Sequence, residues 1–123
     1  MELETFRNFC LGLAGVTEEM PFGESTLVYK VSGKMFALTD IDNFESINLK
    51  CDPEMAVELR ERYNAVLPGY HMNKQHWNTV LMDYSIADRQ ILQWTKDSYW
   101  LVVKKLPKKI RVHYLPPNEE TGD

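Results

Sequence analysis

The thirteen residues from Leu67 to Thr79 hold the densest group of side chains able to bind or move charge: Tyr70, His71, Asn73, Lys74, His76, Trp77 and Asn78 crowd around the Pro68-Gly69 pair. His71, Lys74 and His76 place three potential cations within six residues. A buried strand does not tolerate that density, whereas an anionic ligand would use it. Two imidazoles also raise the question of a metal. Their separation argues against one, because His71 and His76 stand five apart around a turn, matching neither a pair on one helical face nor a CxxC knuckle. Cys51 with either histidine would make a nucleophile and base. The thiol, however, falls at an apolar strand position just before a helix start, where cysteine packs as a small hydrophobe. With no Gly-rich phosphate loop and no pair of carboxylates in an apolar setting, no catalytic constellation and no cofactor or metal site is expected.

The elements that must position these groups are legible from hydrophobic period. Leu3, Phe6, Cys10 and Leu13 recur at helical spacing, so the chain opens with an amphipathic helix that Gly12 and Gly15 let it leave. Thr17-Glu18-Glu19 then leads through Met20-Pro21-Phe22-Gly23, read as a rigid turn with Phe22 as a lid on the core. From Thr26 the period is two, giving strands around Leu27 to Val31 and Met35 to Thr39 joined by a tight Ser32-Gly33 hairpin, then a third from Ser46 to Cys51. On this third strand Asn48 and Lys50 occupy the face opposite Ile47, Leu49 and Cys51. Asp52-Pro53 starts a second helix, with Met55, Ala56, Leu59 and Tyr63 inward and Arg60 and Arg62 on the wet face. Beyond Pro68-Gly69, strands are expected at Tyr70 to Met72 and His76 to Asp83. A third helix opens at Ser85 to Asp88, restarts at Asp97-Ser98 and ends at Pro107. Lys109, Arg111 and His113 alternate with Ile110, Val112 and Tyr114, predicting an edge strand with a basic face. Short turns between consecutive strands and helices with one apolar stripe imply an α+β two-layer sandwich, α-β3-α-β2-α, with a single antiparallel sheet and all helices on one face.

Composition bounds the rest. At 123 residues, 44% hydrophobic and 26% charged, one domain over residues 1–115 is expected, followed by a polar tail at 116–123. Two cysteines, an acidic N-terminus and no apolar run of spanning length suggest a cytoplasmic protein without a membrane partner. The net charge of -4 speaks against a surface that grips nucleic acid all round. Charge is polarised, however: residues 1–45 hold three basic and eight acidic side chains, and residues 46–123 eleven and ten. Lys104, Lys105, Lys108, Lys109 and Arg111 follow one another with no acid between Tyr99 and Leu115.

Seven motifs occur together in order: Leu-x-Gly-Val at Leu13, Pro-Phe-Gly at Pro21, Gly-Lys-Met-Phe-Ala-Leu at Gly33, Asn-Leu-Lys-Cys-Asp-Pro at Asn48, Leu-Arg-Glu-Arg-Tyr at Leu59, Pro-Gly-Tyr-His-Met-Asn-Lys-x-His-Trp-Asn at Pro68 and Ser-Tyr-x-Leu-Val at Ser98. In these the chain resembles the YjbR/MmcQ-like family of small bacterial domains, from the first helix to about Lys108. Alanine replaces the usual proline at position 14, and residues 109–123 extend past the shared region. The resemblance implies the same α-β3-α-β2-α sandwich, a secretion-chaperone-like or CyaY-like fold, and a DNA-binding role assigned by fold analogy. Together these readings set the expectation of a non-catalytic DNA-binding module, with a protein or peptide adaptor, or a binder of a small anionic ligand, as alternatives. The candidate anion contacts are Lys50, His71, Lys74, His76, Lys108, Lys109 and Arg111, and the candidate aromatic contacts are Phe22, Tyr70 and Trp77.

Overall fold

A computed structural model describes residues 1–70 and 72–114. Helix α1 (Leu3–Leu11) buries Phe6 and Cys10, the two residues one turn apart on its apolar stripe, and ends where the Gly12 N–H turns back to the carbonyls of Asn8 and Phe9. Strands β1 (Val16–Glu19), β2 (Thr26–Val31), β3 (Lys34–Asp40) and β4 (Ser46–Lys50) follow. The β2–β3 hairpin turns on Ser32 and Gly33, both with positive φ (52° and 79°), the mirror-image turn whose twist matches paired strands. Helix α2 (Pro53–Arg62) starts as its sequence dictates, with the Asp52 carboxylate accepting the Met55 N–H and proline in the first turn. Strands β5 (Val66–Pro68) and β6 (Trp77–Leu81), helix α3 (Asp88–Lys104) and a one-turn helix α4 (Lys108–Arg111) complete the described chain.

The six strands form one sheet in the order β1-β2-β3-β4-β6-β5, antiparallel throughout. Register fixes sidedness, since directly opposed residues share a face. Tyr29/Ala37, Ala37/Leu49 and Ile47/Val80 face the helices, and with Phe6, Cys10, Ile91, Tyr99, Val102 and Val103 they make the main core. Edge-to-face ring pairs lock the layers, Phe6 on Tyr29 at 5.9 Å and Phe36 on Tyr99 at 5.5 Å. A bulge shifts the β2–β3 register between Tyr29 and Lys30, which lets adjacent Phe36 and Ala37 both enter the core. The opposite face carries a smaller buried cluster, Val28, Leu38 and Trp77, covered in part by Met35 and Met72.

Several expectations are corrected. The sixth strand is β1, at the start of the sheet; the basic edge strand expected from Lys109 to Leu115 instead begins within helix α4 (Lys108–Arg111), and Leu115 lies outside the described residues. Pro107 ends α3 and also serves as the N-cap of α4, a position that favours a new helix as much as it forbids the old one. The strand expected at Tyr70 to Met72 lies earlier, at Val66–Pro68, on the sheet edge where a proline costs no ladder bond. α3 is continuous through Asp97 and Ser98 because the Ser98 hydroxyl is spent on the sheet. Met55, read as core, is exposed, and Phe22 is no lid: 64% of it is exposed in the β1–β2 connection.

Candidate anion-binding site

Lys50 ends β4 directly opposite Trp77, the first residue of β6, and its Nζ lies 5.8 Å from the indole centroid. Its backbone N–H donates to Ser98 Oγ at 2.9 Å, and that hydroxyl donates onward to the Phe36 carbonyl. One α3 side chain therefore pins the helix to β3 and β4. Lys105 follows Ser98 by two turns, on the same side of the helix axis, and so arrives at the end of the sheet where Lys50 stands. There Lys50, Cys51, Asp52, Pro53, His76, Leu101 and Lys105 line a pocket of about 120 Å³. The Cys51 N–H donates to the His76 carbonyl at 2.8 Å, closing the strand ends at the pocket wall.

Burial first, then repulsion from Lys105 and Lys34, holds the Lys50 ammonium below the usual lysine range. Among the described residues Lys34, Lys50 and Lys105 take part in no ion pair. Asp52 is the one acid on the pocket wall, and it already caps α2. The site is thus a concentration of like charge that an incoming anion would relieve. It is poorly suited to nucleophilic chemistry, because burial, reinforced by the Asp52 charge, pushes the Cys51 thiol up to about 11 and keeps it neutral. Burial raises Cys10 still further.

The expected site residues separate into groups. Lys50 and His76 meet at the pocket. Lys74 turns inward, donating from Nζ to the Gly69 carbonyl at 2.9 Å, so its charge closes its own turn. Tyr70 is 69% exposed, with its N–H on Thr79 Oγ1, whereas Trp77 is buried in the smaller cluster. His71 lies outside the described residues, as does the tail at 116–123. Phe22 sits at the other end of the sheet, in the connection joining the end of β1 to the start of β2. Lys108 and Lys109 are exposed on α4, and Arg111 donates from Nη1 to the Lys104 carbonyl at 3.3 Å, which ties α4 to the end of α3.

Sequence reasoning misses three participants. Lys105 stands there only as one member of a charge run, although the Ser98–Lys105 spacing is an available signal. Lys34 sits one residue past the hairpin turn, at the same end of the sheet as the start of β6. Arg60, assigned to the wet face, clamps the candidate stretch: Nε donates to Asn78 Oδ1 at 2.7 Å, and Nη2 reaches the carbonyls of Lys74 and Trp77. It lies one turn beyond Ala56, whose carbonyl accepts from Asn78 Nδ2, so the helical period already places Arg60 near the buried side. Among the described residues, no group of three or more His, Cys, Asp or Glu side chains could hold a metal ion, and no helix is long and apolar enough to cross a membrane.

Known proteins share both sequence and shape with this chain. YbdF of Escherichia coli O157:H7, described as uncharacterized, is 36% identical over 107 residues, 86% of this chain and 88% of its own. YjbR of E. coli K12, likewise uncharacterized, is 31% identical over 112 residues, 90% of this chain and 95% of its own. The crystal structure of the Deinococcus radiodurans protein DR2400, with a DUF419 domain, superposes with a TM-score of 0.86 at 38% identity, covering 93% of this chain and 88% of that one. A Pseudomonas syringae protein superposes at 0.69 and 27% identity, covering 82% of this chain and 98% of its own. The YjbR family model matches residues 11–101, the span that carries the whole sheet and most of α3. The chain belongs to the YjbR family.

Proposed function

We propose that this protein is a non-catalytic module that binds nucleic acid, with DNA as the first ligand, through the basic end of its sheet. The observation that carries this reading is the position of Lys105. It lines the pocket with Lys50 and His76 and stands between Lys104, whose carbonyl receives Arg111, and the exposed Lys108 and Lys109 of α4. On this reading, two positive segments that are far apart in sequence act as one surface. Phosphate contacts from such a surface position a nucleic acid without reading its sequence, so modest, non-specific affinity is expected, on the order of 10⁻⁴ to 10⁻⁶ M at physiological salt.

The test is a titration against duplex DNA, single-stranded DNA and RNA at two salt concentrations. Removing one lysine–phosphate pairing should flatten the slope of log K against log salt by about 0.9 on duplex. Lys74 is committed to its own turn, so the informative variant is Lys105→Gln with Lys108→Gln and Lys109→Gln, which should bind more weakly on every sequence alike. Absence of binding to all three nucleic acids at low salt would overturn the reading in favour of a protein or peptide partner. That second reading has an observation of its own: Leu67, within the short edge strand β5, and Tyr70, just after it, are 42% and 69% exposed at the edge where an extended peptide would add.

A further inference from the structure

We infer that the pocket at the end of β4 is a subsite for a terminal phosphate, a phosphomonoester dianion, in preference to the phosphodiesters of a continuous backbone. This deepens the anion-binding reading above and shares its surface. The argument begins with size. About 120 Å³ falls well below the 300–1,000 Å³ typical of pockets that enclose whole small molecules, so it admits a phosphate head and leaves any base or sugar outside.

Charge supplies the second step. Lys50 and Lys105 reach the pocket from different elements, Lys34 stands close enough to repel Lys50, and Lys50 is partly desolvated. Arg60 adds a fourth cation in the neighbourhood of Cys51, against Asp52 and Asp97, leaving the surroundings about two charges positive. A monoester carries close to two negative charges at neutral pH and can balance both lysines, whereas a diester carries one and leaves a lysine uncompensated. At the start of α2 the Asp52 carboxylate accepts the Met55 N–H and Pro53 has no N–H to offer, so the lysine side chains would bind the anion. Because Lys50 is anchored by the Trp77 face and by Ser98 through its backbone, little has to be ordered when the anion arrives.

The experiment uses methyl phosphate and dimethyl phosphate as probes in an amide-resolved NMR titration of the full chain at pH 7.5. Methyl phosphate is expected to shift the amides of Lys50, Cys51 and His76 with at least tenfold higher affinity than dimethyl phosphate. Lys105→Gln, at an exposed position that leaves the fold intact, should abolish that difference, and Lys50→Gln should do the same, while Lys108→Gln with Lys109→Gln should retain it. Equal response to the two esters, shifts confined to α4, or undiminished methyl phosphate binding by Lys105→Gln would each overturn the assignment. Methyl phosphate binding in a protein that binds no DNA or RNA would support the pocket and remove the nucleic-acid reading.

Discussion

Glu18 is a charged residue in an inward strand position, and three hydrogen bonds from two side chains explain how it can stay there. Its Oε2 accepts from Arg7 Nε at 2.8 Å and from the Tyr29 hydroxyl at 2.9 Å, and its Oε1 accepts from Arg7 Nη2 at 3.2 Å. The hydrogen bond from Arg7, helped by that from Tyr29 and by the guanidinium charge, outweighs burial and holds the carboxyl below its usual range. A depressed native pKa means that the stabilisation is present above the unfolded value, about 4.3, and is lost as pH falls through the folded one. Arg7 is partly exposed, so solvent screening keeps the contribution small. Glu18→Gln should therefore be less stable than the parent at pH 6, with the gap closing by pH 3, read by urea unfolding at the two pH values. A gap of the same size at both would mean that packing, and not the charge, is what the substitution disturbs.

Helix α4 is too short to hold itself; besides the Arg111 bond to the Lys104 carbonyl, a contact just past its end helps to place it. Tyr114 lies against Gly15, whose φ is +73°, and a Cβ there would come within 2.5 Å of the Tyr114 ring. Tyr99 braces the same corner by donating its hydroxyl to the Ala14 carbonyl at 2.6 Å. Gly15→Ala should thus cost about 1–2 kcal/mol for the left-handed backbone and also push Tyr114 away. The expected result is a lower Tm together with faster amide exchange at Ile110 to Tyr114. Tyr114→Ala, which leaves the backbone of Gly15 untouched, should accelerate the same amides. Protection unchanged in both variants would show that α4 is held by something other than this corner.

Across the whole molecule, charge is sorted between the two ends of the sheet. Asp40 at the end of β3 and the connections that follow β1, β3 and β6, with Glu24, Asp42, Glu45 and Asp83, carry acids and no lysine or arginine, while Lys34, Lys50, Lys105 and His76 gather at the other end. With strands of five to seven residues rising about 3.3 Å per residue, the two ends are roughly 20 Å apart, about twice the Debye length at physiological salt. On the proposed nucleic-acid reading, the acidic end would orient a polyanion without weakening its contact much. Asp42→Asn with Glu45→Gln should accordingly change DNA affinity less than about twofold at 0.15 M salt, measured by fluorescence anisotropy, against a much larger drop for Lys105→Gln with Lys108→Gln and Lys109→Gln. Comparable effects from the two ends would refute end-on docking.

Much of this architecture follows from the chain's own pattern. The switch from helical period to alternation, the Ser32-Gly33 turn and the Asp52-Pro53 start each act within a few residues, so β2, β3, β4 and α2 fall where local chemistry puts them. β1 is hidden in the sequence because its inward Glu18 looks like a loop residue until Arg7 and Tyr29 are brought to it. α4 reads as a strand because six alternating residues fit a strand and a single helical turn about equally well, and the contacts of Arg111 with Lys104 and of Tyr114 with Gly15 come from tertiary packing. The candidate site divides in the same way. The positive charge of Lys50 and His76 is a property of residue type and is legible at once, whereas the inward turn of Lys74, the clamp by Arg60 and the arrival of Lys105 depend on register and on the Ser98 bond to β3 and β4. Local sequence determines which groups carry charge; tertiary packing decides which of them converge, because a side chain's electrostatic neighbours come mostly from other elements of the fold.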